Sequence, residues 1–183
     1  MTLNINEFQA SMRFGGARSS HFEVRINNPI SGTGTFDVPF KCFATEVPSR
    51  SITPLPVSYF GRPIKFSSVT QFPDWTVQIY NDEDYLIRND FEQWQEQINR
   101  AVENTRGAGL NPISYKSDAN IVLYSKDGRA LREYRAVGLF PTEVGPIALD
   151  WSNEQIQTFS VTFSMDYWTV DNGTTGVFGG LGL

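Results

Sequence analysis

Hydrophobic and polar residues alternate over several short stretches of this chain, as they do in β-strands with one buried face. Residues 21–26 and 75–80 each place three apolar side chains at every second position. Residues 36–46 form a further extended run, in which Pro39 fits only near the start of a strand or at a sheet edge. These patterns predict half-buried strands in the first half of the chain.

The second half repeats the strand pattern in longer stretches. Residues 121–126 and 129–140 are joined by Asp127 and Gly128, a pair typical of a β-hairpin. Residues 155–168 form the longest predicted strand, with large apolar side chains on one face and small hydroxylic ones on the other. The hydroxylic face consists of Thr158, Ser160, Thr162 and Ser164.

One segment has the periodicity of a helix, with a single apolar stripe. The stripe consists of Ile87, Phe91, Trp94, Ile98 and Val102. Asn81 or Asp82 is predicted to cap the helix, with acidic residues in its first turn, and Gly107 or Gly109 to end it. A single helix cannot build a core alone, so it is expected to lie against a sheet. The pattern as a whole predicts an antiparallel β fold with one helix.

Residues 48–63 combine prolines with apolar side chains. Because proline has no N–H to donate to a ladder, this segment is predicted to be an edge hairpin or a protruding loop. Its apolar residues are expected to be covered by another molecule, which makes them candidates for a subunit interface. These candidates are Ile52, Leu55, Val57, Tyr59 and Phe60.

The two ends of the chain differ from its middle. Residues 1–20 have too little apolar surface for a core and are predicted to be an arm, whereas residues 21–170 form the β domain. Residues 171–183 are a glycine-rich tail. Phe178 and Leu181 in this tail are further interface candidates, because a glycine-rich segment orders only when it docks on a partner.

Composition excludes several classes of protein. The 183 residues carry 20 acidic and 15 basic side chains, a net charge of −5, which argues against a dedicated nucleic-acid clamp. A single cysteine and a single histidine exclude an intrachain disulfide framework and most zinc sites. No apolar run approaches the roughly 18 residues of a membrane span, and no secretory signal is evident. Synthesis and assembly in the cytoplasm are therefore expected.

Candidate chemistry is sparse, and no catalytic, cofactor-binding or metal-binding residue is predicted. The acidic residues around Asp82 fit a helix start better than a calcium loop. Cys42 lies inside a predicted strand and is expected to act as a small buried apolar residue. One enzymatic alternative is a β-sandwich hydrolase that uses carboxylates such as Asp150 and Glu154.

Several motifs nevertheless occur in a specific order along residues 21–168. They are residues 41–48, 61–65 and 72–82, the Phe91-Glu92-Gln93-Trp94 sequence, residues 138–144, the Leu149-Asp150-Trp151 sequence and residues 154–168. In this order and spacing they resemble the tail tube proteins of contractile-tailed, myovirus-type bacteriophages. The segments at both ends lie outside the resemblance.

The resemblance implies two packed antiparallel sheets with one flanking helix, and subunits that form hexameric rings stacked into a hollow tube. It also implies tail sheath, baseplate and tail terminator proteins as partners, and DNA that passes through the lumen without specific binding. The candidate lumen wall is the hydroxylic face of residues 155–164, together with the partner hairpin of residues 121–140. Two related roles stay open: a baseplate protein that starts the tube, and the inner-tube ring of a contractile injection or secretion system.

Overall fold

The computed structural model of the chain describes residues 5–12, 15–29, 41–107, 111–152 and 154–171. These residues form a mainly β fold, which confirms the expected fold class. The strands are β1 (Phe22–Ile26), β2 (Cys42–Thr45), β3 (Ser51–Tyr59), β4 (Arg62–Gln71), β5 (Trp75–Tyr80), β6 (Ser117–Tyr124), β7 (Ala130–Val144), β8 (Thr158–Ser164) and β9 (Tyr167–Asp171). The α-helices are α1 (Ile5–Ser11) and α2 (Leu86–Ile98), and a 3-10 turn covers Pro112–Ser114.

Seven of the strands form two antiparallel layers that share the long strand β7. In the first layer, sheet A, the order is β1-β6-β7-β9; in the second, sheet B, it is β7-β8-β5-β2. The N-terminal part of β7 pairs with β6 and β9, and its C-terminal part pairs with β8. Apolar side chains from both sheets join one core cluster, so the two layers pack face to face.

Strand β7 changes direction at Gly138, whose φ is +71°. Strict alternation along the sequence would place Tyr134 and Leu139 on opposite faces, yet both are buried in the core. The left-handed residue between them shifts the alternation by one position, and the pairing with β6 shifts at the same place. Opposite this bend, the Asp166 N–H donates to the Val137 carbonyl at 3.1 Å.

The bend also changes the strands predicted for the second half. The predicted strand over residues 155–168 is wrong in its bounds, because the chain breaks at Asp166 into β8 and β9. The longest strand is β7, with 15 residues, which runs through Pro141 to Val144. The strand predicted over residues 129–140 therefore ends four residues later than expected.

The apolar stripe of helix α2 is confirmed over its central part. Ile87, Phe91 and Trp94 are buried against the sheets, and Ile98 is half-buried. Val102 is 94% exposed and lies beyond the end of the helix, so the prediction was wrong for this residue.

Both predicted ends of helix α2 were wrong. The helix begins at Leu86, after Tyr85 with φ +54°, and Asp84 Oδ1 accepts from the Leu86 N–H at 3.1 Å. The acidic residues thus precede the first turn rather than occupy it. The helix ends at Ile98 because Asn99 is already extended, well before the glycines.

Aromatic rings fill the core between helix α2 and sheet B. The Trp94 and Phe91 rings both lie within 6.5 Å of the Phe163 ring, centroid to centroid. The buried Trp94 indole N–H donates to the Tyr115 carbonyl at 2.8 Å, so its one polar group is satisfied. On the same side, the Trp75 indole N–H donates to the Glu46 carbonyl at 2.8 Å. The contacts of Phe91 and Trp94 hold the helix against the sheets.

The segment predicted as an N-terminal arm contains helix α1, which the alternation pattern did not predict. Its apolar residues Ile5 and Phe8 are exposed. The predicted division into arm, domain and tail stays a prediction, and residues 36–40 of the second predicted strand lie outside the described residues. No helix in the described ranges is both long and apolar enough to cross a membrane.

Candidate assembly surfaces

Strands β3 and β4 form a hairpin whose every residue is exposed in the single chain. The strands pair with each other from Tyr59 and Arg62 at the tip to Ser51 and Gln71 at the base. Phe60 and Gly61 make the turn with φ of +46° and +77°, the conformation that matches the twist of a two-residue hairpin. Of the two predicted alternatives, an edge hairpin or a protruding loop, the structure shows a hairpin. It forms its own two-stranded sheet and extends eight residues beyond Pro63.

All five interface candidates in this hairpin are exposed. Phe60 at the tip is 91% exposed, and its ring packs edge-on against the Tyr59 ring at 4.6 Å. The pairing partners on β4 add further apolar residues, so the two strands together present an apolar surface. The exposed apolar residues of the hairpin are Ile52, Leu55, Val57, Tyr59, Phe60, Ile64, Phe66 and Val69.

The base of the hairpin is anchored on sheet A. The Trp168 indole N–H donates to the Ser49 carbonyl at 3.0 Å, and the Arg50 guanidinium lies 5.7 Å from the centroid of the Trp168 ring. This geometry allows a cation–π contact. The hairpin therefore projects from a fixed base.

The outer face of sheet B carries the predicted lumen residues. Thr158 is exposed, and Ser160, Thr162 and Ser164 are half-buried. The neighbouring strand β5 places Gln78 beside Ser160 and Thr76 beside Thr162, with the two threonine hydroxyls 3.1 Å apart. These residues are confirmed to share a face opposite the core. Neither β5 nor β8 contains a charged residue.

The outer face of sheet A is charged instead. Arg25 Nε lies 2.6 Å from Glu23 Oε1, and Arg135 Nη2 lies 2.6 Å from Asp118 Oδ2. The Tyr124 hydroxyl also donates to Glu23. The hydrogen bonds from Arg25 and then Tyr124 lower the pKa of Glu23 below its usual range. The two sheets thus present different surfaces. Sheet A, which contains the predicted hairpin of residues 121–140, carries paired ions, whereas β5 and β8 of sheet B present neutral hydroxyl and amide groups.

The residues of the enzymatic alternative do not have the environment of a general acid. Asp150 is exposed, and its Oδ1 accepts from the Ser152 N–H at 2.9 Å and from the Ser152 hydroxyl at 2.7 Å. These bonds lower its pKa, so the carboxyl is ionised at neutral pH, whereas a general acid needs a raised pKa. Glu154 is also exposed.

The other chemistry-bearing residues are explained by local structure. Lys41 Nζ lies 2.8 Å from Asp82 Oδ2, and this hydrogen bond lowers the pKa of Asp82. Cys42 is buried, and burial raises the pKa of its thiol to about 11, which keeps it protonated at neutral pH. In the described ranges, no three His, Cys, Asp or Glu residues converge on a position that could hold a metal ion.

Sequence reasoning missed one exposed surface at the far end of sheet B. We define the Trp151 surface as the apolar residues of the loops at 81–86 and 145–157: Tyr85, Leu86, Leu149, Trp151 and Ile156. All five are exposed, and Trp151 is fully so. The loops follow no strand or helix period, so only the Leu149-Asp150-Trp151 motif singled out part of this surface. Phe178 and Leu181 of the tail lie outside the described residues.

The amino-acid sequence of the chain is similar to those of known proteins. The family described as phage tail tube protein matches residues 5–171, which include part of the predicted arm. The tail tube proteins gp19 of Enterobacteria phages T4 and T6 are each 38% identical over 131 residues, covering 70% of this chain and 79% of theirs. A tail tube protein of Serratia phage KSP90 is 28% identical over 156 residues, covering 81% of this chain and 85% of its own.

Solved structures share the fold at much lower identity. A chain from the tube-terminating cap of the anti-feeding prophage has a TM-score of 0.64 and 14% identity, with 86% of this chain and 92% of that chain covered. A chain from the sheath-tube complex of the extracellular contractile injection system PVC has a TM-score of 0.59 and 14% identity, with the same coverage. The sequence matches, which span most of the chain, show that it belongs to the phage tail tube protein family.

Proposed function

We propose that this chain forms hexameric rings that stack into the inner tube of a contractile tail, and that the phage genome is ejected through the channel of that tube. The observation that carries this proposal is the β3–β4 hairpin, which is fully exposed in the single chain. Membership of the tail tube family supports the tube itself.

The hairpin needs a second molecule for energetic reasons. Apolar surface in water costs roughly 25 cal/mol per Å² relative to burial. A two-stranded hairpin also has unpaired outer edges, which invite pairing or covering by another chain. In a ring or stack, a neighbouring subunit covers the apolar residues around Leu55 and Tyr59. Phe178 and Leu181 of the tail are proposed to dock on a neighbour in the same way.

The outer face of sheet B is proposed as the wall of the channel. The hydroxyls of Thr158, Ser160, Thr162 and Ser164 would face water without presenting positive charge. A wall that attracted phosphates would release counterions and bind DNA, and so would retard its passage. Glu143, which pairs with Thr162, adds a negative charge at the margin of this face. DNA is therefore expected to pass without specific binding.

The proposed partners follow from the tube role. They are the tail sheath protein outside the tube, and the baseplate and tail terminator proteins at its ends. The structures that share the fold are titled as a sheath-tube complex and a tube-terminating cap. The protein is proposed to assemble in the host cytoplasm and to reside in the virion tail. A structural role of this kind uses no catalytic residue.

Two related roles fit the same fold: a baseplate protein that starts the tube, and a ring of an injection or secretion system. The 38% identity to the phage T4 and T6 tail tube proteins, against 14% to chains of the injection systems, favours the phage tube. We therefore keep the tube subunit as the proposed function.

Removal of the hairpin tests this proposal. In the variant, an Asn-Gly turn joins Arg50 to Phe72, since the paired ends Ser51 and Gln71 lie side by side. We expect this variant to be folded and soluble by circular dichroism, and to form no tubes in negative-stain microscopy. Val102→Ser, at another exposed apolar position, is the matched control and should assemble normally. Normal tubes without the hairpin would overturn the proposal.

Lysine substitutions test the channel wall. Virions whose tube carries Thr158→Lys and Thr162→Lys should eject their genome more slowly in low salt, and the delay should shrink in high salt because salt screens the charges. Thr158→Gln with Thr162→Gln controls for side-chain size. Ejection kinetics that match the glutamine control at every salt concentration would contradict the assignment of this face to the lumen.

A further inference from the structure

The Trp151 surface exposes five large apolar side chains to water. Two of its five side chains border a groove of about 550 Å³ between the loop at 81–86 and the loop at 145–157. Tyr85, Ile156 and Gln157 line this groove, and Leu149 lies beside a second hollow that shares Ile156 and Gln157. An exposed apolar patch bordered by polar residues is typical of a protein interaction site.

The two loops are held in place by hydrogen bonds rather than left to move independently. Gln157 Oε1 accepts from the Tyr85 hydroxyl at 2.7 Å and from Asn81 Nδ2 at 3.1 Å, and the Gln157 carbonyl accepts from the Asn81 N–H at 2.8 Å. Asp150 fixes the turn that carries Trp151 through its two bonds to Ser152. A surface ordered in advance loses less entropy when a partner binds.

The hairpin and the Trp151 surface lie at opposite ends of the same strands. Strand β5 begins at Trp75, close after the hairpin, and ends at Tyr80, beside the loop at 81–86. Its partner β8 runs the other way, so Thr158 and the loop before it lie at the Tyr80 end. Six residues of strand separate the two ends by about 17 Å. Surfaces at opposite ends of a subunit suit head-to-tail contacts between identical copies.

Charge makes the two surfaces complementary. Residues 49–73, which contain the hairpin, include three basic residues and no acidic one. The loops at 81–86 and 145–157 include five acidic residues and no basic one. Two cations from outside the loops contact them: Lys41 is paired with Asp82, and Arg88 donates to the Gly145 carbonyl at 3.1 Å. Across the ranges that the structure describes, the other four carboxylates take part in no ion pair. Within the described part of the chain, no ion pair involves Arg62 or Lys65 of the hairpin, or Glu83 or Glu154 of the loops.

From these observations we infer that the Trp151 surface of one subunit receives the β3–β4 hairpin of a second copy of this chain. The apolar tip around Phe60 packs against Trp151 and Ile156, while Arg62 and Lys65 face the acidic residues of the two loops. The inference rests on the proposed function, because it specifies the contact that joins subunits in the tube. Complementary charge fixes the direction of this contact, since two hairpins or two acidic loops repel each other.

A charge exchange tests the inference on the full-length protein. The first variant reverses the hairpin, with Arg62→Glu and Lys65→Glu; the second reverses the loops, with Glu83→Lys and Glu154→Lys, and leaves the turn fixed by Asp150 intact. We expect each variant alone to be folded and to form no tubes at low salt. A mixture of the two should co-assemble in alternation, because each hairpin then meets loops of opposite charge. Circular dichroism monitors folding, and negative-stain microscopy with light scattering monitors tubes.

Two controls separate this inference from the proposed function. Glu103→Lys with Asp127→Lys reverses two exposed acidic residues outside the Trp151 surface and should leave assembly unchanged. Trp151→Ala should reduce the rate or yield of tubes at least tenfold, whereas Val102→Ala should not. If removal of the hairpin abolishes tubes but reversal of the loops does not, the hairpin docks elsewhere and the inference falls while the tube role stands. Normal tubes from the loop variant that fail to bind sheath protein would assign this surface to the sheath instead, and would also overturn the inference.

Discussion

Helix α2 and the β3–β4 hairpin contain apolar side chains of similar size, but they use them in different ways. Phe91 and Trp94 of the helix are buried under the sheets, and Tyr59 and Phe60 of the hairpin lie in solvent. The helix stripe therefore packs against other parts of the same chain, whereas the apolar side chains of the hairpin stay exposed. The comparison separates the residues that make the subunit stable from those that make it join other subunits.

The difference follows from backbone chemistry as well as from position. Residues 86–98 contain neither proline nor glycine, so a complete helix forms and can pack as one unit. Strand β3 contains Pro54 and Pro56, which cannot donate to a ladder and so oppose the insertion of β3 into a larger sheet. The hairpin stays outside the core for this reason. Changes in one region should consequently leave the property that depends on the other region intact.

The largest effect on stability is expected from Trp94→Ala. Loss of this ring leaves a cavity and an unpaired Tyr115 carbonyl, and should lower the free energy of unfolding by about 3–5 kcal/mol. Urea denaturation of the hairpin-deleted protein measures this without interference from assembly. Phe60→Ala in the full-length chain should change the free energy of unfolding by less than about 0.5 kcal/mol yet impair tubes. Equal destabilisation by Trp94→Ala and Phe60→Ala would contradict the distinction between a helix that stabilises the subunit and a hairpin that joins subunits.

A second effect concerns the bend that joins the two sheets. An alanine at position 138 would adopt φ near +71° and would place its Cβ 2.1 Å from Asp166 Oδ2. Left-handed backbone costs roughly 1–2 kcal/mol for such a residue, and displacement of Asp166 would also disturb its ion pair with Lys116. Gly128 is the matched control, because its φ is also positive, at +75°, but a Cβ added there would have no neighbouring atom within 4 Å. Thermal melts should show Gly138→Ala to be clearly more destabilising than Gly128→Ala; equal losses would mean that the contact with Asp166 is irrelevant.

The sequence predicts the fold well where periodicity is local. Alternation located β1 and β5, and the spacing of Phe91 and Trp94 located the buried stripe of α2. Prediction failed where a single residue resets the pattern or where polar residues compete for a helix start. Gly138 shifts the alternation of β7 by one position, and Tyr85 delays the helix; neither effect is encoded in hydrophobicity.

For the assembly surfaces, too, prediction succeeded where local sequence decides the structure and failed where distant segments meet. The prolines and apolar residues of residues 48–63 were enough to predict an edge hairpin or a protruding loop, because only local backbone chemistry was needed. The Trp151 surface could not be predicted, since it depends on two loops brought together by Gln157. Such proximity between loops that are distant in sequence follows from the pairing of β5 with β8.

The smallest expected effect is a pH dependence on the charged face of sheet A. Arg25 and Tyr124 hold the pKa of Glu23 below its usual range, so the folded state favours its carboxylate. This stabilisation is present above the unfolded pKa of about 4.3 and is lost as the pH falls through the lower folded pKa. Glu23→Gln should therefore reduce the free energy of unfolding by about 0.5–1 kcal/mol at pH 7, because the pair is partly exposed.

The difference between wild type and Glu23→Gln should shrink progressively as the pH falls below about 4.3, since protonation of Glu23 removes the same interaction in the wild type. Urea denaturation of the hairpin-deleted forms at pH 7 and in acid measures both differences. Tyr124→Phe, which removes only the hydroxyl, should have a smaller effect in the same direction. Because Glu23 lies on β1, at the opposite edge of sheet A from the β9 strand that anchors the hairpin, Glu23→Gln should form tubes like the wild type at neutral pH. A pH-independent difference would show that Glu23 acts through packing rather than charge.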